Sequence, residues 1–472
     1  MYHRPEYFIH HLVDALGLFF LTLLKISVLM AVIIILLYML KRLSPLRHSD
    51  LCLARTGHVR GIVFGTKYGI DIYSPSEQEG HILAWGPSGS GKTAASLIPI
   101  LRCFDGVGSF IFDISGDICR NVQKVHKLIY EPENPDTIPF DLFHSIDLLP
   151  TEADKNQALS RLAFILMPPL SPQTASANAN FFQNEGRKIL TASLIAFYHA
   201  GLDFVAICEK IVSLPYRQLF AEIDSTGNEL AISYINGFEG ASEMNTSGCR
   251  QSAVASIDLF VANSYVRNAI HRPSPGEECF TVDSIETQHV FLLVSDTNLD
   301  VYSQLIHLVT AMVLEYVGQR SKPKGTVLIA IDELASFGRL DLINQLRKAR
   351  KRKVRIFCLT QSLADLYLVY GRDETQAMLT NFKYKLILGS ASAEDSEYVS
   401  RLIGKQKKKR RSISFGPRGY TTTHSEEDAW IVSPEEVSRL DRDLLLIYPG
   451  GHVRLKKAYY FKKDAKKGLN KA

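Results

Sequence analysis

The chain has no C-x-x-C pair. Its seven cysteines, Cys52, Cys103, Cys119, Cys208, Cys249, Cys279 and Cys358, are scattered and odd in number. That excludes a zinc knuckle or a dithiol redox motif and reads as reduced thiols in a cytosolic body. No helix-turn-helix or zinc-finger spacing occurs, so base-specific reading of DNA is not expected. No small-residue cleavage site follows the apolar N-terminal run, which argues against a removed signal peptide. Strong charge of one sign is missing overall: the net charge is +5 over 472 residues. The small total hides a split. From Arg401 onward 18 Lys/Arg face 8 Asp/Glu, a local +10 that leaves −5 on the first 400 residues. A basic C-terminal portion on a mildly acidic body suits an anionic partner such as nucleic acid or lipid headgroups, and equally a solvated basic surface. With 46% hydrophobic residues the composition excludes wholesale disorder, and the length asks for two or three modules.

What is present centres on Gly86-Pro87-Ser88-Gly89-Ser90-Gly91-Lys92-Thr93. An apolar run, Ile82 to Trp85, precedes it and Ala94 to Ile98 follows. This is strand, glycine loop, helix, with the G-x-x-x-x-G-K-T spacing of a phosphate loop. The glycines take dihedrals closed to other residues and turn backbone amides toward phosphates. The helix adds its positive N-terminal end. Lys92 is expected to reach the β- and γ-phosphates of ATP, and the Thr93 hydroxyl to hold Mg²⁺.

Leu16 to Leu40 is nearly all apolar, with Lys25 its only charge. As a helix, 25 residues reach roughly 37 Å, enough to cross a hydrocarbon core of about 30 Å. Two spans do not fit, so one is expected. Lys41, Arg42, Arg47, Arg55 and Arg60 follow it, which puts the bulk of the chain in the cytoplasm by the positive-inside rule.

Beyond the loop, apolar runs alternate with helical stretches as in a parallel sheet. Ser109 to Asp113 is one strand; Asp113 at its tip is either a ligand contact or a loop residue beside a helix cap. From about Asp147 to Val282 the texture turns helical, with helices expected at 155–166, 177–200, 204–211, 216–223 and 246–268. The run His289–Val294 returns to strand. Thr326 to Ile331 then ends in Asp332-Glu333, the pattern of a Walker B element. Asp332 would hold Mg²⁺ and Glu333 would polarise the attacking water, with the two motifs on neighbouring strands of one sheet. A basic helix near Leu340–Arg350 precedes the strand Val354–Thr360, which ends in Gln361. A glutamine there senses the γ-phosphate, positions water, or is a plain polar strand end.

The segments AWGPSGSGKT, FIFDISGD, LIAIDELASFGRL, RKRKVRIFCLTQSLADLYLVYG and TNFKYKLILG together resemble the coupling-protein ATPases of type IV secretion and bacterial conjugation (the VirD4/TraG/TraD/TrwB group). The resemblance spans roughly residues 80 to 460. It implies an α/β fold: a RecA-like P-loop ATPase domain with an inserted all-α domain, preceded by an N-terminal transmembrane helix. The corresponding division is an anchor at 1–44, nucleotide-binding parts at 45–146 and 283–462, the insertion at 147–282 and a basic tail at 463–472. It also implies an inner-membrane homo-hexamer that hydrolyses ATP between subunits and delivers relaxase-bound DNA, or protein substrates, to the secretion channel. By the family pattern Lys92, Thr93, Asp332, Glu333 and Gln361 keep their roles, and Arg350 falls where an arginine finger is proposed. Arg347 and Arg355 are its fallbacks. The family commonly has two spans, against the one expected here.

Nucleic acid of either strandedness has one obvious landing place. Lys407, Lys408, Lys409, Arg410 and Arg411 form a dense positive run in an expected loop, offering the charge and reach that phosphate contact needs. A solvated loop or contact with acidic lipids is the competing reading. Two other functions compete: a membrane scaffold using nucleotide as a switch, and another hexameric DNA pump. Glu333 beside Asp332 favours hydrolysis over passive binding.

Overall fold

β-Branched and aromatic runs punctuated by glycine build the strands of this chain, and serine, threonine or aspartate caps start its helices. The computed structural model describes residues 18–38, 50–55, 59–170, 176–321, 323–416 and 419–461. It divides into two units, Met1–Leu53 and Ala54–Ala472. In the first, Leu18–Tyr38 is a continuous helix of 21 residues, every one exposed. Its length is about 31 Å, enough for one crossing of a bilayer core. The ends of the expected span, at 16–17 and 39–40, and the basic residues Lys41, Arg42 and Arg47 lie outside the described residues.

The strands, in chain order, are β1 (Cys52–Arg55), β2 (Ile62–Lys67), β3 (Ile70–Ser74), β4 (His81–Trp85), β5 (Gly108–Asp113), β6 (Lys127–Tyr130), β7 (His289–Leu293), β8 (Val327–Ile331), β9 (Val354–Thr360), β10 (Phe382–Ile387), β11 (Lys405–Gly416), β12 (Gly419–Trp430), β13 (Asp443–Tyr448) and β14 (Gly451–Lys456). In the second unit one large sheet runs β3-β2-β14-β13-β10-β4-β9-β8-β5-β7-β6. From β10 to β6 all pairs are parallel. From β10 to β3 they are antiparallel. The central strands are wholly buried, as sheets covered on both faces require.

Among the described residues, every regular element between β6 and β7 is helical. Thr151, Ser176, Asp203 and Asn228 each accept a backbone N–H three residues on, starting the helices Glu152–Leu166, Ala177–His199, Phe204–Ser213 and Glu229–Asn236. The single helix expected over 246–268 is three: Glu243–Ala255, Leu259–Ala262 and Ser264–Ile270. Asn263 makes the second of the two breaks by accepting from the N–H groups of Tyr265 and Val266, a local bond that competes with the helix ladder. One apolar cluster runs from Trp85, Phe112 and Ile331 in the sheet to Ile195, Phe204 and Phe260 among these helices. The long apolar helix Leu299–Gln319 has the length to cross a membrane, but ten of its residues are buried in this core.

Candidate nucleotide site

β4 ends at Trp85, and at Gly86 the chain turns into a loop whose crest, Ser88 and Gly89, is exposed. Gly89 and Gly91 sit at φ 75° and 91°, values a side chain would strain. A helical run then begins at Thr93 and continues to Cys103. The Gly86 N–H donates to the Thr360 carbonyl at 3.4 Å, tying the loop to the tip of β9. Lys92 folds back over the loop: its Nζ donates to the carbonyls of Gly86 at 2.7 Å and Pro87 at 3.4 Å. Burial lowers its pKa, and the carboxylates of Glu333, Asp332 and Asp365 pull it back up.

Across from the loop, the Thr93 hydroxyl donates to Asp332 Oδ2 at 3.3 Å. The expected neighbour relation of the two strands is corrected here. β4 and β8 are separated by β9, which pairs in parallel with both. Sequence order carries no strand order, and the chain returns after β8 to fill that gap. The consequence is chemical: Gln361, just past β9, stands between the loop and the acidic strand end and hydrogen-bonds Glu333.

Burial raises the Asp332 pKa to about 6; the Thr93 bond opposes this, the charges of Glu333 and Asp113 reinforce it and Lys92 opposes it. Burial also raises Glu333, against the Gln361 bond and the Lys92 charge. Glu333 has φ 61°, an unfavourable backbone for a residue with a Cβ. Asp113, at the tip of β5, is fully buried, and one oxygen accepts from the Cys119 N–H at 2.7 Å. It caps the turn that follows while adding negative charge beside Asp332.

A hydroxyl, a carboxylate and the Lys92 ammonium beside the glycine loop form a hard-oxygen, anion-accepting set. It suits Mg²⁺ bound to a polyphosphate, since Mg²⁺ is usually held by one or two protein oxygens plus phosphates and water. Among the described residues no group of three or more His, Cys, Asp or Glu could hold a metal ion on its own.

Arg350 lies elsewhere. It leads into β9, is exposed and pairs with Glu79 at 3.1 Å. The seven residues of β9 put about 23 Å between it and Gln361. Arg347 is exposed on the preceding helix. Arg355 is not available at any surface: it is 1% exposed and donates to the carbonyls of Gly80 (3.0 Å) and Pro75 (2.9 Å) and to Ser74 Oγ (3.0 Å). Its place as a fallback finger is therefore withdrawn.

The basic run is also different from the loop expected. Lys407 to Arg411 belong to β11, one strand of a hairpin with twelve residues on each side. Lys407, Lys408 and Lys409 face Asp428, Glu427 and Glu426 across the ladder. Lys407 pairs with Glu426 at 3.9 Å and Arg410 with Glu427 at 3.5 Å, all exposed. The basic tail expected at 463–472 lies outside the described residues.

Two residues at the loop carried no signal in the sequence. Lys457, just after β14, is 7% exposed and donates to the carbonyls of Ser90 (2.8 Å), Leu388 (2.9 Å) and Leu440 (3.2 Å). Tyr459 lies against the loop: a Cβ on Gly91 would stand 3.1 Å from its Cε1 and 3.2 Å from its hydroxyl. Both look like ordinary residues after a final strand until the antiparallel arm sets β14 one strand away from β10, with β13 between them.

Residues 49–471 match the family described as type IV secretory system conjugative DNA transfer. The protein VirD4 of Agrobacterium fabrum is 24% identical over 445 residues, covering 89% of this chain and 64% of that protein. VirD4 of Rhizobium rhizogenes gives the same identity and coverage. This chain thus spans less than two thirds of those relatives' length. The bacterial conjugative coupling protein TrwBdeltaN70, in its unbound monoclinic form, superposes with a TM-score of 0.66 at 19% identity, over 85% of this chain and 89% of that one. TrwB in complex with ADP and Mg²⁺ gives 0.65 at 20% identity, over 86% and 90%. The fold is shared.

Proposed function

The chain belongs to the type IV secretory system conjugative DNA transfer family, and from that premise we propose that it is a membrane-anchored coupling ATPase. It recruits a relaxase–DNA complex or a protein substrate and drives transfer through a secretion channel by hydrolysing ATP with Mg²⁺. The observation that carries this reading is the 3.3 Å contact between Thr93 and Asp332, which joins the glycine loop to the acidic strand end at one site. The structures of TrwB with ADP and Mg²⁺ support the choice of ligand.

The loop amides and Lys92 hold the β- and γ-phosphates, with Lys92 exchanging its bonds to Gly86 and Pro87 for phosphate oxygens. Thr93 and Asp332 would hold Mg²⁺, which would supply positive charge against the phosphate oxygens. Glu333 takes the proton of a water whose oxygen attacks the γ-phosphorus, and the bond to the ADP oxygen breaks. Its raised pKa makes it a better base than a solvated carboxylate. Gln361, bonded to Glu333, orients that water.

Arg350 completes the site only from a neighbouring copy, in a ring. A homo-hexamer in a bacterial inner membrane, with one span at Leu18–Tyr38 and its bulk cytoplasmic, is the assembly proposed. The domain division at 44, 146, 282 and 462 stands as part of this reading. DNA is proposed to meet Lys407 to Arg411 on β11, whose exposed ion pairs are weak enough for phosphates to replace.

The test is steady-state ATP hydrolysis by the full chain in detergent, with and without single- and double-stranded DNA. Lys92→Ala is expected to abolish nucleotide binding, whereas Glu333→Gln keeps binding and loses roughly 10²- to 10⁴-fold in turnover. Equal turnover in wild type and Glu333→Gln would overturn the hydrolytic reading.

A further inference from the structure

We propose that Tyr459 is the nucleobase platform of this site: the flat ring of the bound nucleotide packs against its aromatic side chain, with little preference between adenine and guanine. The inference rests on the nucleotide-site reading and adds a residue and a specificity to it.

Three observations carry it. Tyr459 touches the phosphate loop at Gly91, where a Cβ would meet its ring at 3.1 Å and Ala95 Cβ at 3.4 Å. Gly91 and the first helical turn are where such a loop cradles the α- and β-phosphates. The sugar and base of a nucleotide held this way would lie beyond the α-phosphate, and Tyr459 is an aromatic side chain in contact with the loop at Gly91.

The segment is also fixed to the loop rather than draped over it. Lys457 spends its ammonium on three carbonyls, one of them the Ser90 carbonyl of the loop itself. The Arg102 guanidinium, on the helical run that starts at Thr93, stacks over the Tyr460 ring at 5.0 Å. Tyr459 is thus held on both sides, at Lys457 by the loop carbonyl of Ser90 and at Tyr460 by Arg102 of the helical run, and a stacked base would keep its distance from the phosphate.

Third, the chemistry is a cluster of aromatic faces. Tyr459 and Phe461 lie 5.1 Å apart with their planes 35° from parallel, and Tyr460 meets Phe461 edge-on at 5.5 Å. Phe461 is 48% exposed. Stacking tolerates any base because every base has a π face. A platform of this kind therefore predicts binding of ATP and GTP with similar affinity.

The experiment is calorimetric titration of the full chain in detergent with ATP, GTP and inorganic tripolyphosphate, each with Mg²⁺. The variants are Tyr459→Ala, Tyr459→Leu and Tyr459→Phe; leucine keeps bulk against Gly91 but removes the π face. Alanine and leucine should each weaken ATP and GTP by about 5- to 100-fold. Both should leave tripolyphosphate unchanged, and phenylalanine should keep both nucleotides near wild type. An unchanged ATP affinity in the leucine variant, or an equal loss of tripolyphosphate, would overturn the proposal, because Tyr459 would then only pack or only brace the loop. A wild-type chain that binds none of the three would overturn the nucleotide-site reading itself, and this inference with it.

Discussion

Arg350 and Glu333 stand at opposite ends of one sheet, and that separation makes a quantitative prediction about mixed assemblies. Arg350 leads into β9 and Gln361, bonded to Glu333, follows its other end, about 23 Å away for a strand of this length. No rotamer of an arginine covers that. If the guanidinium acts on the phosphates, it must act on those of a neighbour. Glu333→Gln alone should lose roughly 10²- to 10⁴-fold in turnover, and Arg350→Ala alone roughly 10³- to 10⁵-fold. The two variants together in one ring should recover activity. A site works when its Glu333 comes from an Arg350→Ala subunit and the adjacent Arg350 from a Glu333→Gln subunit. In a randomly mixed ring at equal input that is about one site in four, so independently firing sites should give about a quarter of the wild-type rate. Folding is not expected to confuse the result, because Arg350 is exposed and its one ion pair, with exposed Glu79, is worth at most about 1 kcal/mol. The assay is ATP hydrolysis by co-expressed, differently tagged subunits purified over both tags, with assembly size checked by light scattering. Mixed rings of normal size with no more activity than either variant alone would refute the shared site.

Two further outcomes follow from burial. Arg355→Ala should cost about 2–4 kcal/mol, since it empties the volume of a fully buried side chain and removes the donor to the Gly80 carbonyl, while the Pro75 carbonyl and the Ser74 hydroxyl keep their bonds to Gln78; thermal unfolding should show a clear drop in Tm for Arg355→Ala and almost none for Arg350→Ala. Binding of Mg²⁺–ATP should weaken as pH falls through about 6, because the Asp332 pKa is raised from 3.8 to about 6 and the protonated acid is a poor ligand. The sign for stability runs the other way. A carboxyl that holds its proton more tightly when folded disfavours the fold increasingly as pH rises from 3.8 toward 6, and constantly above that. Asp332→Asn should thus raise the Tm of the nucleotide-free chain near pH 7 while removing the pH step in Mg²⁺–ATP titrations.

The phosphate loop was legible because its chemistry leaves few choices. Glycine must stand where φ is positive, as at Gly89 and Gly91, and only a hydroxyl and an ammonium at fixed spacing do the work of Thr93 and Lys92. Asp332 and Glu333 were legible through their place after an apolar strand. Strand order was not, since hydrophobic runs record burial and not neighbours, and so the position of Gln361 between the two motifs could only come from the fold. Lys457 was hidden for the same reason: its three carbonyl partners lie at residues 90, 388 and 440, and no local pattern marks them. Arg355 misled because a charged residue opening a strand reads as surface, whereas here β9 is wholly buried and main-chain carbonyls replace a carboxylate partner.

The basic hairpin failed to read as strand for a sharper physical reason. Period-two alternation reports a strand with one apolar face, and the basic half of β11 has none: Lys405 to Arg410 are all exposed. What marks the pairing is charge, Lys408 opposite Glu427 and Lys409 opposite Glu426, a signal spread over partners far apart in sequence. The pairing also alters what the run can do. A free lysine loop would offer every positive charge to phosphate, but here at least Lys407 and Arg410 already have carboxylate partners. Those pairs are exposed, worth about 0–1 kcal/mol each, and opposite strands hold the acids close. Phosphates displacing them must leave Glu426 and Glu427 uncompensated beside the backbone of a nucleic acid. On the proposal that DNA meets this hairpin, its contacts with phosphate would be ones that form and break easily.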